Sequence, residues 1–513
     1  MQLKITINRK YLIYLIFLSM ILNYHFDYSG YSNVYAINKI DNKSLIKLPF
    51  RLLSYDFSIS EFNKADNFSI KGKWGIEHKI KSFDSKSSLP TMLYDLMSTQ
   101  NVDYNTELRE FYFSVTNVFA ELRIGKQLHA WGAVDVSSPI DILNSIDYYY
   151  LFTDTDETKI GRNSIALDLF LSDNIKIHLL AMPNHIVNKI PNNDPDFPIT
   201  LPASPQSYQM LDQSELKKPI EFGGYIQTSL VNTDWIISYF SGYDRNFNLY
   251  GSNVWQNTEG SDGLTVIDTI FSYRKTDMIG LSNVSFIGDF TLRSDFAFFN
   301  TNDGDYIIEN RAYKGTDVLM DTAYYYEALD TYYNYREING FPEEPEISQY
   351  FNFHGKYYQY SIQLEYELPY NIDLVTQIFG YKSDKIKSNQ IDINITNFEF
   401  SSSDLFFPGM GSSMATLAEQ GLIFNFTKTF DDSIEIQSTH LLDLKDEGQL
   451  HQLKISYDII DDINLSLLFY KGIGNSDKYP DNLNTQDIDE SLLYPFNAME
   501  DFSHIRAQLK YFF

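Results

Sequence analysis

The sequence predicts an all-β fold, a transmembrane antiparallel β-barrel, on three observations. Apolar and polar residues alternate along most of the 513 residues, as in strands with one apolar and one wet face. Connections between consecutive strands are short at one end of the strands and long at the other, which is typical of membrane barrels. The chain also finishes in an alternating strand that ends with Phe513.

Composition excludes several other classes. The chain has 68 Asp plus Glu against 40 Lys plus Arg, a formal charge of −28, whereas nucleic-acid binding requires clustered basic residues. The absence of cysteine excludes a disulfide framework, a thiolate metal site and a cysteine nucleophile. A hydrophobic content of 43% is too high for a disordered chain, and a mean hydropathy of −0.28 is too low for a bundle of transmembrane helices.

The first 36 residues are interpreted as a cleaved signal peptide. Three basic residues precede an apolar run over residues 11–22, and small residues around 34–36 suit cleavage. A membrane anchor is the alternative, but twelve helical residues span only about 18 Å, well short of a bilayer core. Export and a barrel together predict the outer membrane of a Gram-negative bacterium as the location.

The predicted domain order continues with residues 37–66 as a periplasmic or plug segment. Its apolar residues Ile46, Leu48 and Phe50 would supply the contacts of a plug, although an extra strand or a periplasmic contact is equally compatible with them. Residues 67–513 are then the transmembrane barrel with long extracellular loops.

The alternating segments predict sixteen strands, with both termini on the periplasmic side. The clearest is 358–368, where Tyr and aliphatic residues face one way and Gln, Ser and Glu the other. The predicted strands are 68–80, the hairpins near 108–130, 163–183, 221–242, 264–298, 357–381, 421–442 and 449–472, and a closing strand over 503–513. Stretches 299–356 and 383–420 are long enough to hold another hairpin, so 18 strands is the alternative.

The C-terminal strand resembles the last strand of outer-membrane barrel proteins. Apolar residues occupy every second position from Ile505 and lead to Tyr511 and Phe513. In such proteins this pattern is read by the barrel assembly machinery, so the resemblance implies that Tyr511 and Phe513 form an assembly signal.

A second resemblance lies after residue 122. Arg123, Gly125 and Gln127 are followed by Trp131-Gly132 and an Asp-rich loop. This order is similar to the R-x-G-x-Q, W-G and D signature of porin-like outer-membrane proteins, including substrate-specific porins and a large porin-like family of unknown function. The resemblance implies a channel or transport role without a named solute.

If the apolar faces contact lipid, the opposite faces line the lumen. We predict these pore-lining residues: Lys71, Lys73, Lys79, Glu121, Arg123, Gln127, His129, Asp289, Arg293, Asp295, Arg506 and Lys510. The predicted first and last strands should be neighbours at the seam, so their lysines and arginine should form a basic wall. The alternative is that these side chains only make the lumen polar.

The loop that follows Trp131-Gly132 is rich in carboxylates. We hypothesise that it folds into the barrel as a constriction whose candidates are Asp135, Asp141, Asp147, Asp154, Asp156 and Glu157. A solvated extracellular loop is the alternative. Acidic loops also suit Ca²⁺ or Mg²⁺, but no segment has the spacing of a dedicated calcium loop, so we predict no metal site and no cofactor.

These features favour a channel or porin for small polar or charged solutes. A plugged transporter of hydrophobic compounds or lipids is the alternative, and an outer-membrane hydrolase is a minor one. None of the nine histidines lies in a hydrolase motif, so we predict that the chain is not an enzyme. Expected partners are outer-membrane lipids, lipopolysaccharide, the assembly machinery and a small solute; a homotrimer is left open, and no nucleic acid is expected.

Overall fold

The computed structural model describes residues 24–40, 48–63, 68–81, 104–151, 158–191, 197, 219–256, 265–303, 347–387, 406–431, 433–474 and 495–513. Within them lie 23 strands and a short helix, α1 (Pro495–Asp501). The strands are β1 (Tyr24–Lys39), β2 (Pro49–Asn63), β3 (Phe68–Lys81), β4 (Tyr104–Thr116), β5 (Ala120–Gln127), β6 (Ser145–Ile146), β7 (Lys159–Ile160), β8 (Arg162–Ser172), β9 (Ile175–Met182), β10 (Glu221–Leu230), β11 (Thr233–Tyr243), β12 (Asn248–Gln256), β13 (Thr265–Ser272), β14 (Lys275–Ile287), β15 (Phe290–Asn302), β16 (Ile347–Tyr350), β17 (His354–Leu368), β18 (Ile372–Lys387), β19 (Gln420–Phe430), β20 (Ile434–Asp443), β21 (Gln449–Ile460), β22 (Ile463–Ile473) and β23 (His504–Phe512). Among these described residues, no helix is long and apolar enough to cross a membrane.

Eighteen of the strands form one closed antiparallel sheet. Each wall strand pairs with the next wall strand along the chain, and β1 pairs with both β2 and β23, which closes the barrel. The all-β barrel is therefore confirmed with the alternative count of 18, and the count of sixteen is wrong. The two additional strands are β1 and β2, rather than a hairpin hidden in 299–356 or 383–420.

The predicted N-terminal boundaries are corrected by these two strands. Cleavage near residue 36 would remove most of β1, whose residues 31–39 pair with β23. The predicted plug over residues 37–66 contains a wall strand, because Pro49–Asn63 pairs with β1 and β3. Of the apolar residues that suggested a plug, Leu48 and Phe50 are buried on the inside of the wall, and Ile46 lies outside the described residues. Residues 1–23 lie outside the described part of the chain, and the signal peptide stays a prediction.

We therefore expect the mature protein to begin at or before Tyr24. A chain that starts at residue 37 would lose β1 and leave β2 and β23 as open edges, and each unpaired backbone group in hydrocarbon costs several kcal/mol. Intact mass of the exported protein gives the first residue. Heat-dependent electrophoretic mobility compares refolded chains that start at residues 24 and 37, and a folded barrel from the shorter chain would contradict this prediction.

The two ends of the barrel differ as the sequence predicts. Wall strands joined by two or three residues meet at one end, which we call the turn end, and its turns contain left-handed residues such as Asn232 (φ 61°), Gly288 (φ 61°) and Asp431 (φ 48°). The N-terminal end of β1 and the C-terminal end of β23 also lie at the turn end. The opposite, loop end carries long connections, of which four matter below: L3 (128–161), L4 (183–220), L5 (244–274) and L7 (388–419).

The wall is apolar outside and polar inside. On β17, Ile362 and Leu364 are 45% and 40% exposed, whereas Gln359, Ser361 and Gln363 are buried. This is the reverse of a soluble protein, where exposed faces are polar, and it indicates an outer surface that contacts lipid. The same outward apolar pattern continues around the wall: Ile165, Leu179, Ile226, Ile237, Ile279, Phe296, Leu467 and Leu509.

Part of the interior toward the loop end is filled with apolar side chains. One buried cluster joins the wall residues Tyr35 and Phe50 to Tyr148 of L3, Met414 of L7 and Phe496 of α1. Burial of apolar area stabilises by about 25 cal/mol per Å². Parts of L3 and L7 therefore fold inward, where this burial and the hydrogen bonds described below hold them.

Candidate functional site

The start of L3 depends on two glycines with positive φ. At Gly125 (φ 134°) a Cβ would lie 2.2 Å from the carbonyl oxygen of Phe111, and at Gly132 (φ 94°) it would lie 2.7 Å from Oδ2 of Asp295. Both positions therefore exclude side chains for steric as well as conformational reasons. They belong to the porin-like signature, which here turns the chain from the wall of β5 into the interior.

Asp295 of β15 binds the backbone of L3 from across the barrel. Its carboxylate accepts hydrogen bonds from the N–H of Ala133 (2.9 Å), the N–H of Val134 (3.2 Å) and the hydroxyl of Ser138 (2.7 Å). Asp295 is itself buried. Since β15 lies six strands around the wall from β5, these bonds show that L3 crosses the interior.

The tip of L3 carries Asp135 next to a charged patch on the wall. The Asp135 N–H donates to Oε1 of Gln363 (3.0 Å), and Nε2 of Gln363 donates to the Asp135 carboxylate (2.6 Å). Arg293 lies 3.9 Å from Asp135 and 2.5 Å from Glu365. The Asp135 side chain remains 58% exposed. This end of the loop therefore presents a solvent-exposed carboxylate beside the wall residues Arg293 and Gln363.

The other end of L3 contacts the opposite side of the wall. Asp147 lies 3.5 Å from Lys79 of β3 and 3.4 Å from Lys189 of L4, and Lys79 also binds Glu107 at 2.8 Å. The ring of Tyr150 lies 4.0 Å from the guanidinium of Arg51, a cation–π contact. L3 is thus held to β2 and β3 as well as to β15 and β17.

A buried charge cluster anchors the middle of L3. Glu221, at the start of β10, lies 2.6 Å from Arg162, 2.8 Å from Arg245 and 2.9 Å from Nδ1 of His185. All four side chains are nearly inaccessible to solvent. The two arginines also donate to backbone carbonyls of L3, Arg162 to Leu143 (3.0 Å) and Arg245 to Ile142 (3.2 Å). One carboxylate therefore compensates two guanidinium groups that hold L3, L4 and L5 together.

L7 packs on L3 from the loop end. Ser137 bonds to Ser412, and the carbonyl of Met410 accepts bonds from Tyr357 and Gln359 of the wall, both at 3.1 Å. A small cavity lies between the two loops, beside Asn144 and Arg245. L7 therefore folds inward together with L3 and contacts it there.

Burial sets the electrostatics of the loops. It raises the pKa of Asp141 in L3, although the ammonium of Lys159 opposes the shift, and it lowers the pKa of His129 to about 3. Burial also raises the pKa of Asp244 to about 6 and that of Asp303 to about 6. Burial therefore makes these carboxyl groups weaker acids than free ones, whereas the Asp135 side chain stays exposed.

Most predicted pore-lining side chains face inward, but two expectations fail. Asp289 is an exposed residue of the turn between β14 and β15, so it does not line the lumen. The strands that carry Lys79 and Arg506 are not neighbours, because β1 and β2 lie between them. Lys73 and Lys79 are also paired with glutamates, so there is no continuous basic wall there. The structure places the other predicted residues inside the barrel. Lys71 and Lys510 point inward and are partly buried, and Arg506 of β23 is buried. Glu121 and Arg123 lie beside Asp168, Gln127 and His129 bond to Ser164, and Arg293 and Asp295 contact L3.

Three of the six constriction candidates can be placed. Asp135, Asp141 and Asp147 all lie on the inward-folded loop. Asp135 and Asp147 make the contacts described above, and Asp141 forms an ion pair with Lys159. Asp154, Asp156 and Glu157 lie outside the described residues. Sequence reasoning missed Glu221, Arg162, Arg245 and Gln363, which hold the loop, because each lies far along the chain from its partner and forms no local motif.

The closed sheet, its apolar outer surface and its inward-folded loop define a membrane-spanning β-barrel of porin-like architecture. The sequence matches no protein-family model and no curated protein. Similar solved structures include OccK2 (OpdF) of Pseudomonas aeruginosa, at 8% identity and TM-score 0.43 over 96% of this chain and 97% of that one. OccAB3 of Acinetobacter baumannii has 7% identity and a TM-score of 0.44 over 96% of this chain and 99% of that one. The outer membrane channel DcaP of the same organism has 9% identity and a TM-score of 0.39 over 96% of this chain and 97% of that one. These values are too low to carry conclusions about residues or solutes.

Proposed function

We propose that this protein is an outer-membrane channel for diffusion of small polar or charged solutes, with L3 as its constriction. One observation carries the proposal: a loop between adjacent strands bonds to Asp295 and Gln363 on one side of the interior and to Lys79 on the other. A solute that passes through the barrel must pass beside this loop. Barrels of 16 to 18 strands are wide enough to leave an aqueous channel around such a loop.

The charges beside the tip of L3 favour cations. Asp135 and Glu365 flank Arg293, so this group of three carries one excess negative charge. Charged groups in a narrow, low-dielectric passage set ion preference. The lysines of β3 contribute less, because glutamates neutralise them at close range.

Planar-bilayer recording of the refolded chain from residue 24 tests the proposal. We expect stable ohmic steps and a reversal potential in a KCl gradient that shows preference for K⁺. Asp135→Lys should move the reversal potential toward Cl⁻, because it reverses the charge at the tip of L3. Asp289→Lys makes the same charge change on an exposed turn and should leave the reversal potential nearly unchanged. A folded barrel without conductance, or equal shifts in both variants, would overturn the proposal.

The two alternatives have less support. The hydrophobic transporter depended on a plug over residues 37–66, of which Pro49–Asn63 forms wall strand β2. For a hydrolase, Ser164 lies 2.9 Å from His129, but both are buried, and the nearby carboxylate of Asp168 bonds to His178 instead. Association with lipopolysaccharide, the assembly machinery and further copies of the chain stays a prediction.

A further inference from the structure

We propose that His440 and His451 form a chelating site for a divalent transition metal, Cu²⁺ or Ni²⁺, on the outer surface of the barrel near its loop end. The two residues lie directly opposite each other on the neighbouring strands β20 and β21. Nothing in the channel proposal requires them. The site follows from their orientation, from the facing nitrogen atoms and from the hydrogen bonds behind the rings.

Both histidines point away from the lumen. Their chain neighbours Leu441 and Leu450 are buried in the interior cluster, so the histidines occupy the opposite face of the sheet. The rings are half-buried, with Phe426 beside His440 at 6.5 Å between ring centroids. On β21 the next outward residue toward the turn end is Leu453, part of the exposed apolar surface. The pair therefore lies on the outer surface of the wall, close to the loop end.

The rings face each other through their Nδ1 atoms, which are 2.8 Å apart. The Nε2 atom of His451 lies 3.1 Å from Oε1 of Gln449, and Nε2 of His440 lies 3.0 Å from the Ser438 hydroxyl. Each Nε2 is therefore bonded to a neighbouring side chain, whereas one Nδ1 donates its proton to the other, and a metal ion that binds both Nδ1 atoms would displace that proton. Metal-binding histidines are oriented in the same way, by a hydrogen bond on the nitrogen that does not bind the metal.

The chemistry of the two ligands favours Cu²⁺ or Ni²⁺. Imidazole nitrogens suit both ions, and affinity for such ligands rises along the first-row series to Cu²⁺. The two Nδ1 atoms are 2.8 Å apart as hydrogen-bonded partners, so both lie close enough together to bind one ion in place of the shared proton. The described residues contain no group of three or more His, Cys, Asp or Glu around a common point, so water or lipid phosphate would complete the coordination.

A neighbouring charge provides an additional test. Lys471 of β22 lies opposite His451 on the same outward face and is exposed. Its ammonium group repels a bound cation, so its removal should strengthen metal binding. A phosphate site would respond in the opposite direction, because it would use the lysine as a donor.

Copper binding to the full barrel in detergent micelles tests the proposal. All variants carry His25→Ala, so that this exposed histidine near the expected mature N-terminus does not compete for copper. At pH 7.5, calorimetry should show one site, and electron paramagnetic resonance should show hyperfine coupling to two imidazole nitrogens. We expect His440→Ala and His451→Ala each to weaken the site at least 30-fold, and Lys471→Ala to strengthen it about 3-fold.

His78→Ala is the matched control, because it removes an outward histidine of β3 that bonds to Thr106 rather than to another histidine. Heat-dependent mobility verifies that every barrel is folded, and His451→Gln repeats the loss with a side chain of similar size. The proposal is overturned if the parent shows no two-nitrogen signal, if only one of the two alanine variants loses affinity, or if Lys471→Ala weakens binding.

Discussion

Replacement of Glu221 by glutamine should lower the free energy of unfolding by about 3–5 kcal/mol, the cost of removing one partner from a buried ion pair. Glu221 is fully buried and lies within 2.6–2.9 Å of Arg162, Arg245 and His185. Without its charge, two guanidinium groups remain in a site that excludes water. Because the same arginines bond to carbonyls of L3, the loop should lose order together with stability.

Urea unfolding of the barrel in micelles, followed by tryptophan fluorescence, measures this effect. The control is Asp289→Asn, which removes a carboxylate from an exposed turn and should change the unfolding free energy by less than about 0.5 kcal/mol. Equal stabilities of the Glu221→Gln and Asp289→Asn variants would show that the cluster does not hold the loops.

Asp295→Asn should raise the single-channel conductance and add rapid flicker. The carboxylate binds two backbone N–H groups and one hydroxyl of L3, and hydrogen bonds to a charged group contribute about 1.5–3 kcal/mol each. An amide cannot accept all three at the same strength. The tip of L3 should therefore detach from β15 and vacate part of the lumen, and we expect the conductance to increase at least twofold.

Two controls separate movement of the loop from loss of charge. Glu367→Gln removes a carboxylate from the adjacent wall strand β17. The structure shows no bond between this carboxylate and L3, so the conductance should stay close to that of the parent. Because the chain has no cysteine, Ala133→Cys combined with Asp295→Cys offers a single new disulfide between the loop and β15. Oxidation to the disulfide should restore the parent conductance without flicker, and reduction should bring back the higher conductance with flicker. Equal conductance of Asp295→Asn and the parent would contradict the bonding described here.

The wall was largely predictable from local patterns, since outward and inward residues alternate over each strand. The alternation of Tyr358 to Leu368, for example, reappears as exposed Ile362 beside buried Gln363. β1 was misread because its residues Val34 to Ala36 also suit signal cleavage and its partner β23 is at the other end of the sequence. Asp295 and Lys79 were predicted to line the lumen and the carboxylates of L3 to form a constriction, but the specific pairs were not predictable: Ala133 and Asp295 are 162 positions apart, and Asp135 and Gln363 are 228 apart. No periodicity encodes such pairs.

The seam between β1 and β23 also sets the order of biogenesis. Gln508 donates to Asn33 across 475 positions, and the backbone pairs along the same seam. Contacts of such separation form late, because the loop that they close is the whole chain. The barrel therefore cannot close until β23 has formed at the end of the chain. A chain that ends before β23 would leave β1 and β22 as two open edges, which are prone to pair with other chains.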